Sequence, residues 1–371
     1  MGKVGFMICS TGWGGLEINV LRLMKWLIER NNDITLFAVK DTKLYNAAKE
    51  NLVNTVMINN HKKYFDFKEA YRFSRKLKEH NIETLFVCDN RDLDLAFLSK
   101  KMLWNKLKIV YHQQMQIGVG KKDLIHTMRF SSIDHWISPL ELLKKEVLEK
   151  TRVKAEKIAV IPLCIEIDKF ITPKYTKAEA RGKLQLAKSD FIVGIIGRID
   201  PLKGQLFLVK AIQKLSQKKP DIKLLIVGEP TVNDPNSKKY FVDMQQYIEE
   251  QHLSEIIQIR NFTNDVSVFY NTVDVFALAS EGETFGMVTI EAMLSQLPII
   301  ATNSGGTPEI LNYGELGLLY TPQNTEEFCE KLQWMHQNQD KCLEMSIKAR
   351  ETAKTKYSHL MECEQIEKLI K

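Results

Sequence analysis

The sequence is short of the features that define several classes of protein. None of its apolar runs approaches the ~20 residues that a membrane-spanning helix needs, which argues against an integral membrane protein. Its six cysteines are scattered without a close pair, which argues against a disulfide framework and a structural zinc site. Neither an internal repeat nor a low-complexity tract is visible, and no signal peptide precedes the first strand pattern. We therefore expect a globular, cytoplasmic protein with reduced thiols.

The chain has 371 residues, more than a single hydrophobic core usually serves, so two domains are expected. Its charge is unevenly distributed. Residues 1–170 contain 29 Lys/Arg and 20 Asp/Glu, a net charge of +9, whereas the rest contains 23 and 26, a net charge of −3. A basic half can face nucleic acid, an anionic membrane or a phosphorylated substrate, and it can equally be ordinary solvated surface.

Hydrophobic periodicity divides the chain into two series of alternating strands and helices. Short apolar strands are predicted before a break at about 163–187 and again after it, at 3–9, 34–39, 84–88, 109–111, 136–138, 191–197, 223–227, 256–259, 273–278, 298–302 and 317–320. Alternation on both sides of a break predicts two doubly wound α/β domains. Ligands of such sheets bind at the carboxyl ends of strands, so the loops after the strands are the candidate binding segments.

Two of these loops combine glycines with a following helix. Residues 10–17 read Ser-Thr-Gly-Trp-Gly-Gly-Leu-Glu, and the glycines would let the backbone approach a ligand at the helix N-terminus. The third glycine of a dinucleotide fingerprint is missing, and a plain tight turn explains the loop equally well. Residues 197–204 read Gly-Arg-Ile-Asp-Pro-Leu-Lys-Gly. Arg198 and Lys203 would suit a diphosphate, or they are incidental cations of a solvated turn.

In the segment 279–293, Glu283 lies in a loop and Glu291 lies in the helix that follows. If the eight-residue step between them were all helix, it would span ~12 Å, beyond the roughly 5–9.5 Å of paired glycosidase carboxylates. The two acids are therefore interpreted as separate ligand contacts, with an acidic surface loop and an ordinary helix residue as the alternative. Residues 285–288 should form the first turn of the helix and offer backbone N–H groups. A further glycine turn at 303–309 says little by itself.

Taken in order, these segments resemble the GT-B glycosyltransferases of family 4, which are retaining enzymes that use nucleotide sugars. The resemblance covers nearly the whole chain, and its motifs are Gly-Gly-x-Glu at 14–17, Gly-Arg-x4-Lys-Gly at 197–204, Glu-x-Phe-Gly-x4-Glu-Ala-Met at 283–293, Pro-Ile-Ile-Ala-Thr at 298–302 and Gly-Gly-Thr-Pro-Glu at 305–309. The Glu-x7-Glu block is specific, and the glycine turns support it. The resemblance implies two Rossmann-like domains facing a cleft: 1–165 on the acceptor side and 166–350 on the nucleotide-sugar side, with 351–371 packing back on the first.

The resemblance also implies roles for single residues. Arg198 and Lys203 would hold the donor diphosphate, Glu283 would contact hydroxyls of the donor sugar, and Glu291 would hold the ribose. The remaining implied donor contacts are backbone groups near the sugar and phosphates, and a residue near the base: Phe285, Gly286, Met287, Val288, Gly14, Gly15 and Asn261. The donor is expected to be a UDP-sugar in preference to a GDP-sugar, with no cofactor and no divalent metal.

Most candidate residues for binding the acceptor lie in the first half of the sequence. His112 follows a strand where family members often carry a histidine near the sugar, and an ordinary structural histidine is the alternative. The neighbouring Gln113, Gln114 and Gln116 would suit hydrogen bonds to a polyol acceptor.

No carboxylate is clearly placed as a covalent nucleophile. We therefore expect front-face attack, with the leaving phosphate helping to remove the acceptor's proton.

Several segments leave the acceptor and the base open. Leu163 and Cys164 stand where family members often have Asn-Gly, and Gln296 and Asn261 each replace a common glycine. Residues 230–239 look like an inserted loop near the nucleotide. The basic, aromatic segment 61–80 could lie on an anionic membrane near a lipid-linked acceptor, or it could be an ordinary outer helix. We expect a glycan or glycolipid acceptor of cell-envelope polysaccharide or lipopolysaccharide synthesis, and no nucleic acid.

Three alternatives stay open at this point. A Rossmann oxidoreductase would need a three-glycine fingerprint and an acid after the second strand that binds the ribose, where the sequence gives only Lys40-Asp41. A non-catalytic protein that binds nucleotide sugars would not require the intact charged set that is present here. A synthase acting on a sugar phosphate would need an extra anion site among the lysines of the first half.

Overall fold

The computed structural model describes residues 2–187, 190–231 and 234–370. The chain divides into two compact units, one of Met1–Cys164 with His359–Lys371 and the other of Ile165–Ser358. The first division lies next to the boundary expected at 165. The segment expected at 351–371 is split, because 351–358 stay with the second unit and His359 begins the helix that belongs to the first.

The first unit alternates strands and helices along most of its length. Its strands are β1 (Lys3–Ile8), β2 (Ile34–Val39), β3 (Asn54–Ile58), β4 (Ile82–Val87), β5 (Lys108–His112), β6 (His135–Ser138) and β7 (Ile158–Val160). Its helices before the second unit are α1 (Gly15–Glu29), α2 (Lys43–Glu50), α3 (Phe67–Glu79), α4 (Leu93–Met102), α5 (Leu124–Ser131) and α6 (Glu141–Lys150).

The strands of the first unit form one parallel sheet in the order β3-β2-β1-β4-β5-β6-β7. Successive side chains of β1 point to opposite faces, so Phe6 and Ile8 join one core, and Met7 joins the other. Helices cover both faces, which explains why β1 is an almost continuous apolar run. The direction of winding reverses between β1 and β4, and the loops after these two strands border a crevice.

The second unit follows the same plan. Its strands are β8 (Phe191–Ile196), β9 (Ile222–Val227), β10 (Ile257–Arg260), β11 (Val275–Leu278), β12 (Ile299–Thr302) and β13 (Leu318–Tyr320). Its helices are α7 (Asp168–Ile171), α8 (Lys177–Lys183), α9 (Gln205–Ser216), α10 (Pro235–Glu250), α11 (Ser267–Thr272), α12 (Met287–Leu294), α13 (Thr307–Ile310), α14 (Thr325–Gln337) and α15 (Gln339–Lys356).

The second sheet is also parallel, in the order β10-β9-β8-β11-β12-β13. The winding reverses between β8 and β11, where Val193 pairs with Val275. The loops after β8 and β11 therefore lie side by side, and these are the loops that carry most of the predicted donor residues. The predicted class, α/β with two doubly wound parallel sheets, is confirmed.

The C-terminal helix α16 (His359–Ile370) packs on α1 of the first unit. Its Cys363 and Ile366 are fully buried in the same core as β1 and α1. Glu367 accepts hydrogen bonds from the side chains of Arg30 and Asn32, each at 2.9 Å. These contacts explain why the last helix belongs with the first unit although it follows the second in the chain.

Some elements differ from the periodicity reading. Strand β3 was not predicted, because its five residues are largely half-exposed and show no clear alternation. The expected inserted loop at 230–239 is wrong for its second part, since α10 begins at Pro235 with the Asp234 carboxylate accepting the Asn236 N–H. Pro230 pairs with Ile199, and residues 232–233 lie outside the described residues. Within the described ranges, no helix combines the length and apolarity needed to cross a membrane.

Candidate functional site

The turn after β8 presents Arg198 to solvent. Its neighbour Ile199 is fully buried, and the Ile199 N–H donates to the Glu229 carbonyl at 2.9 Å. The buried Gln205 amide donates to the Arg198 carbonyl at 2.8 Å, which fixes the backbone of the turn. Within the described part of the chain, the Arg198 side chain has no hydrogen-bond or ion-pair partner. A rigid backbone therefore holds a guanidinium that can bind an anion.

Gly204 allows the turn after β8 to approach the end of β11. Its φ is +72°, in the left-handed region, and a Cβ there would overlap the carbonyl oxygen of Ala279. The loop contact continues at Leu202, whose carbonyl accepts the Glu281 N–H at 3.2 Å. This close approach brings the residue before Gly204, Lys203, to the loop that carries Glu283.

Lys203 and Glu283 form an ion pair, with the ammonium 2.6 Å from a carboxylate oxygen. The two side chains are 27% and 17% exposed, so the pair is accessible to a ligand. The sequence predicted both residues for the donor site but assigned them to different parts of the ligand. Their direct contact is a finding of the tertiary structure.

The glycine turn at 303–309 holds the backbone of Glu283. The N–H of Gly306 donates to the Glu283 carbonyl at 2.8 Å, and the Ser304 hydroxyl donates to the Glu281 carbonyl. The turn at 303–309, which carried no functional signal in the sequence, therefore positions the candidate site residue Glu283.

Helix α12 begins at Met287, two residues later than predicted, because Gly286 before it has a left-handed φ of +81° and ψ of +60° that favour glycine. No side chain caps this N-terminus, and Met287 and Val288 are half-buried. The N–H of Thr289 donates to the Gly286 carbonyl at 2.9 Å, which leaves the N–H groups of Met287 and Val288 open to an acceptor from a ligand. Phe285 contributes backbone only, since its ring is 4% exposed and packs edge-on against Tyr357.

Glu291, on the third position after Val288 in α12, accepts a hydrogen bond from the hydroxyl of Tyr270 at 2.7 Å. Tyr270 is buried on α11, and burial together with the neighbouring carboxylate raises its pKa well above the ordinary value. Tyr270 thus stays protonated and donates to Glu291. The sequence missed Tyr270, because nothing in the pattern of α11 distinguishes it from a core aromatic.

Three buried hydroxyls in this region have no hydrogen-bond partner among the described residues: Ser280, Thr289 and Thr307. They belong to the loop after β11, to α12 and to the start of α13. Asn261 is exposed just beyond β10. The neighbouring Arg260 donates instead to the carbonyl of Leu184 at 2.9 Å.

The glycine loop of the first unit is engaged internally. The N–H of Gly14 donates to the carboxylate of Glu17 at 2.8 Å, and Glu17 is buried. Gly15 is exposed at the start of α1, with no atom near the position of a Cβ. The Glu17 carboxylate therefore already occupies the N-terminus of α1.

His112 closes β5 and is 1% exposed. Neither ring nitrogen has a partner among the described residues, and burial lowers its pKa to about 4, so the ring is neutral near pH 7. The expectation that Gln113 serves an acceptor is wrong. Its amide oxygen accepts from Trp136 and Ser138, and its nitrogen donates to the carbonyl of Met115.

Gln114 and Gln116 have different surroundings from Gln113. The Gln114 oxygen accepts from Asn19 at 3.4 Å, and its buried side-chain nitrogen has no partner in the described ranges. Gln116 is exposed. These two side chains keep hydrogen-bonding capacity that Gln113 lacks.

Comparisons with known proteins find glycosyltransferases for both halves of the chain. Residues 176–352 match the family model of glycosyl transferases group 1, and residues 13–169 match that of glycosyltransferase family 4. An uncharacterized glycosyltransferase of Haemophilus influenzae is 25% identical over 358 residues, which cover 94% of this chain and 95% of the relative. The capsular polysaccharide biosynthesis glycosyltransferase CapM of Staphylococcus aureus is 25% identical over 233 residues, covering 62% and 59%.

The crystal structure of Anabaena HepE in complex with UDP-glucose superposes with a TM-score of 0.82 at 19% identity, covering 99% of each chain. This likeness supports the GT-B fold. The two family matches define the class of each half separately: the second half matches glycosyl transferases group 1, and the first half matches glycosyltransferase family 4.

Proposed function

We propose that the protein is a retaining hexosyltransferase that moves a sugar from a nucleotide diphosphate sugar to a glycan or glycolipid acceptor. A UDP-sugar is the proposed donor, and synthesis of a cell-envelope polysaccharide or lipopolysaccharide is the proposed setting. The observation that carries the proposal is the accessible Lys203–Glu283 pair at the reversal point of the second sheet, beside the exposed Arg198 in the turn after β8.

The chemistry follows from where charge develops. When the bond between the anomeric carbon and the phosphate breaks, negative charge builds on the leaving diphosphate. Arg198, Lys203 and the open N–H groups at the start of α12 are fixed donors for that charge. Glu283 would accept hydrogen bonds from sugar hydroxyls while the hydrogen bond from Lys203 holds its carboxylate in place.

Glu291 is proposed to hold the ribose, with Tyr270 fixing the carboxylate. The base of the nucleotide is proposed to lie near the exposed Asn261. Gly14 and Gly15 are proposed to approach the phosphates. For His112 we propose a place near the sugar, as a neutral ring. Front-face attack with retention is proposed because no carboxylate of the candidate site is clearly placed as a covalent nucleophile.

The donor and acceptor classes draw on the relatives. HepE was crystallised with UDP-glucose, and CapM is named for capsular polysaccharide biosynthesis. The first supports a UDP-sugar donor for this chain, and the second supports an envelope glycan as the acceptor. No metal or cofactor is part of the proposed transfer step.

A lipid-linked acceptor is supported by an exposed apolar surface on the first unit. Helix α5 exposes Leu124, Ile125 and Met128 on one face, and Phe65 and Phe67 are also exposed. Tyr64, beside Phe65, packs its ring edge-on against His126 of α5, which makes the surface continuous. Exposed lysines surround it: Lys62, Lys63, Lys68 and Lys122. We propose that this surface rests on an anionic membrane.

Helix α3 is not the main part of that surface. It buries Ala70, Phe73 and Leu77 against the sheet, as an ordinary outer helix does. Co-sedimentation with anionic vesicles tests the membrane proposal. Leu124→Ser with Met128→Ser should abolish binding, whereas Leu343→Ser, at an exposed leucine of the second unit, should not. Equal binding of all variants would refute it.

The transfer proposal is tested by two linked measurements. A thermal-shift panel of UDP, GDP, ADP and their sugar conjugates should raise Tm with one nucleotide, because a ligand of the folded state stabilises it. Glu283→Gln should then abolish sugar transfer to an acceptor that the wild type uses. Glu281→Gln, two residues away and exposed, should not. The anomeric configuration of the product, read by NMR, decides retention.

The thermal-shift panel, extended with NAD(P), and the transfer assay together separate the alternatives. A non-catalytic binder would give the Tm shift with no turnover for any acceptor. A synthase would turn over only with phosphorylated sugars. An NAD(P)-dependent oxidoreductase would respond to dinucleotides and not to nucleotide sugars.

A further inference from the structure

A cysteine, a histidine and an aspartate of the first unit meet beside the reversal point between β1 and β4. Cys9 follows β1, His61 lies between β3 and α3, and Asp92 directly precedes α4. The thiol sulfur, a ring nitrogen and a carboxylate oxygen all lie within 4.8 Å of one another. The side chains of His61 and Asp92 are each 3% exposed, so the cluster is closed to bulk water.

Contacts outside the cluster orient these side chains. Nδ1 of His61 lies 2.7 Å from the carbonyl oxygen of Lys62, which directs Nε2 to an oxygen of Asp92 at 2.9 Å. The other Asp92 oxygen accepts the backbone N–H of Cys9 at 2.9 Å. A backbone carbonyl on the second ring nitrogen is also how metal-bound histidines are usually held.

We propose that Cys9, His61 and Asp92 bind a zinc ion. A thiolate, an imidazole and a carboxylate are ligands that Zn²⁺ takes readily, whereas Mg²⁺ and Ca²⁺ prefer oxygen alone. One thiolate and one carboxylate balance the charge of a divalent ion, so it would be buried without net charge. Three protein ligands leave the fourth tetrahedral position for water.

The other carboxylates nearby are engaged elsewhere. Asp89 pairs with Arg91 at 2.7 Å. Asp94, which with Asp92 forms an Asp-x-Asp spacing, accepts the Phe65 N–H at 2.7 Å and faces Arg129 at 3.7 Å. Only one acid of that spacing thus joins the cluster. The candidate ligands Cys9 and Asp92 are 83 positions apart in the chain, which is why the spacing of residues in the sequence argued against zinc.

The ion would tie the loop between β3 and α3 to the ends of β1 and α4. This role is structural and does not depend on the proposed transferase activity. Metal content and metal-dependent stability therefore test the site separately from any assay of sugar transfer.

The experiment uses the full chain equilibrated with Zn²⁺ and dialysed, with metal measured by mass spectrometry. We expect one zinc per chain, and in the Co²⁺ form a thiolate-to-cobalt charge-transfer band. Cys9→Ser should lose the band, and His61→Gln should lose the bound metal. Cys88→Ser is the matched control, because Cys88 is a buried cysteine at the end of the neighbouring strand β4 and lies outside the cluster. It should keep both.

Thermal stability gives a second readout. Zn²⁺ should raise the Tm of the wild type and of Cys88→Ser, and should leave that of His61→Gln unchanged. The proposal is overturned if dialysed wild type holds no zinc, or if Cys9→Ser binds zinc like the wild type. If Cys9→Ser does not fold, the cobalt spectrum decides: a wild-type band that persists in Cys88→Ser supports the site, and no wild-type band refutes it.

Discussion

The two units share one sheet plan and use its reversal point in opposite ways. Between β8 and β11, the second unit presents an accessible Lys203–Glu283 pair and the exposed Arg198. Beside the corresponding point between β1 and β4, the first unit buries His61 and Asp92 with Cys9. The same topology therefore offers an open cationic site in one unit and a closed cluster of potential metal ligands in the other.

The helix N-termini at these points differ in the same sense. The buried carboxylate of Glu17 accepts the N–H of Gly14 at the start of α1, so negative charge is supplied from within the chain. No side chain caps α9 at Gly204 or α12 at Gly286. Because uncapped N–H groups and the helix dipole attract anions, the second unit is the better place for a diphosphate. The strand order makes the crevice, and the side chains decide what it accepts.

The largest expected effect comes from removing a cation of the second unit. Arg198→Ala should lower kcat/KM by about 10²–10³-fold, because a fixed donor to the developing charge is lost. Nucleotide affinity should fall as well. The matched control is Arg91→Ala in the first unit, which removes an exposed guanidinium paired with Asp89. Equal losses in both variants would mean that the two crevices do not differ as described.

The next effect concerns the buried His112 of the first unit. Its pKa is about 4 in the folded chain against an ordinary 6.5, so below pH 6.5 the unfolded chain binds the proton first. Stability should fall between pH 6.5 and 4, by about 3 kcal/mol in total. His112→Gln should remove that part of the acid dependence in urea unfolding, whereas the exposed His252→Asn should not. Parallel pH profiles of wild type and His112→Gln would contradict this account.

Two glycines sharpen the comparison at the level of the backbone. Gly204→Ala should destabilise the second unit by about 1–3 kcal/mol, since its φ is +72° and a Cβ would meet the Ala279 carbonyl. Gly15→Ala in the first unit places its Cβ in open space and should change the free energy of unfolding little. Chemical denaturation of both variants measures the difference. A neutral Gly204→Ala would show that the loops after β8 and β11 can separate.

The smallest effect is expected at Tyr270. Tyr270→Phe removes the hydroxyl that donates to Glu291 and should weaken nucleotide binding several-fold, with a loss of about 1 kcal/mol of stability. Tyr240→Phe is the control, because that hydroxyl accepts the Leu206 N–H away from Glu291. Calorimetric titration with the nucleotide found in the thermal-shift panel measures both. Unchanged affinity in Tyr270→Phe would mean that Glu291 does not need this partner.

Long, buried strands and the helices between them were predictable because periodicity is a local property. Strands β8 and β9 are apolar runs with almost every residue buried, and their positions in the sequence are close to those in the structure. Strand β3 and helices α2, α4 and α5 were missed, because elements of five to ten residues are too short for a period to stand out. Arg198, Lys203 and Glu283 became candidates because of their loop positions, and their roles stay predictions, whereas Tyr270 had no signal in the sequence.

The sequence by itself determined the fold class, the two-unit division and the loops that carry charge at strand ends, since each depends on neighbours within a few positions. The tertiary structure alone decided which of those groups meet. Lys203 contacts Glu283, and Cys9 lies beside His61 and Asp92. The amide oxygen of Gln113 accepts hydrogen bonds from Trp136 and Ser138. These contacts join residues far apart in the chain, and only the packing of parallel strands in a fixed order brings them within bonding distance.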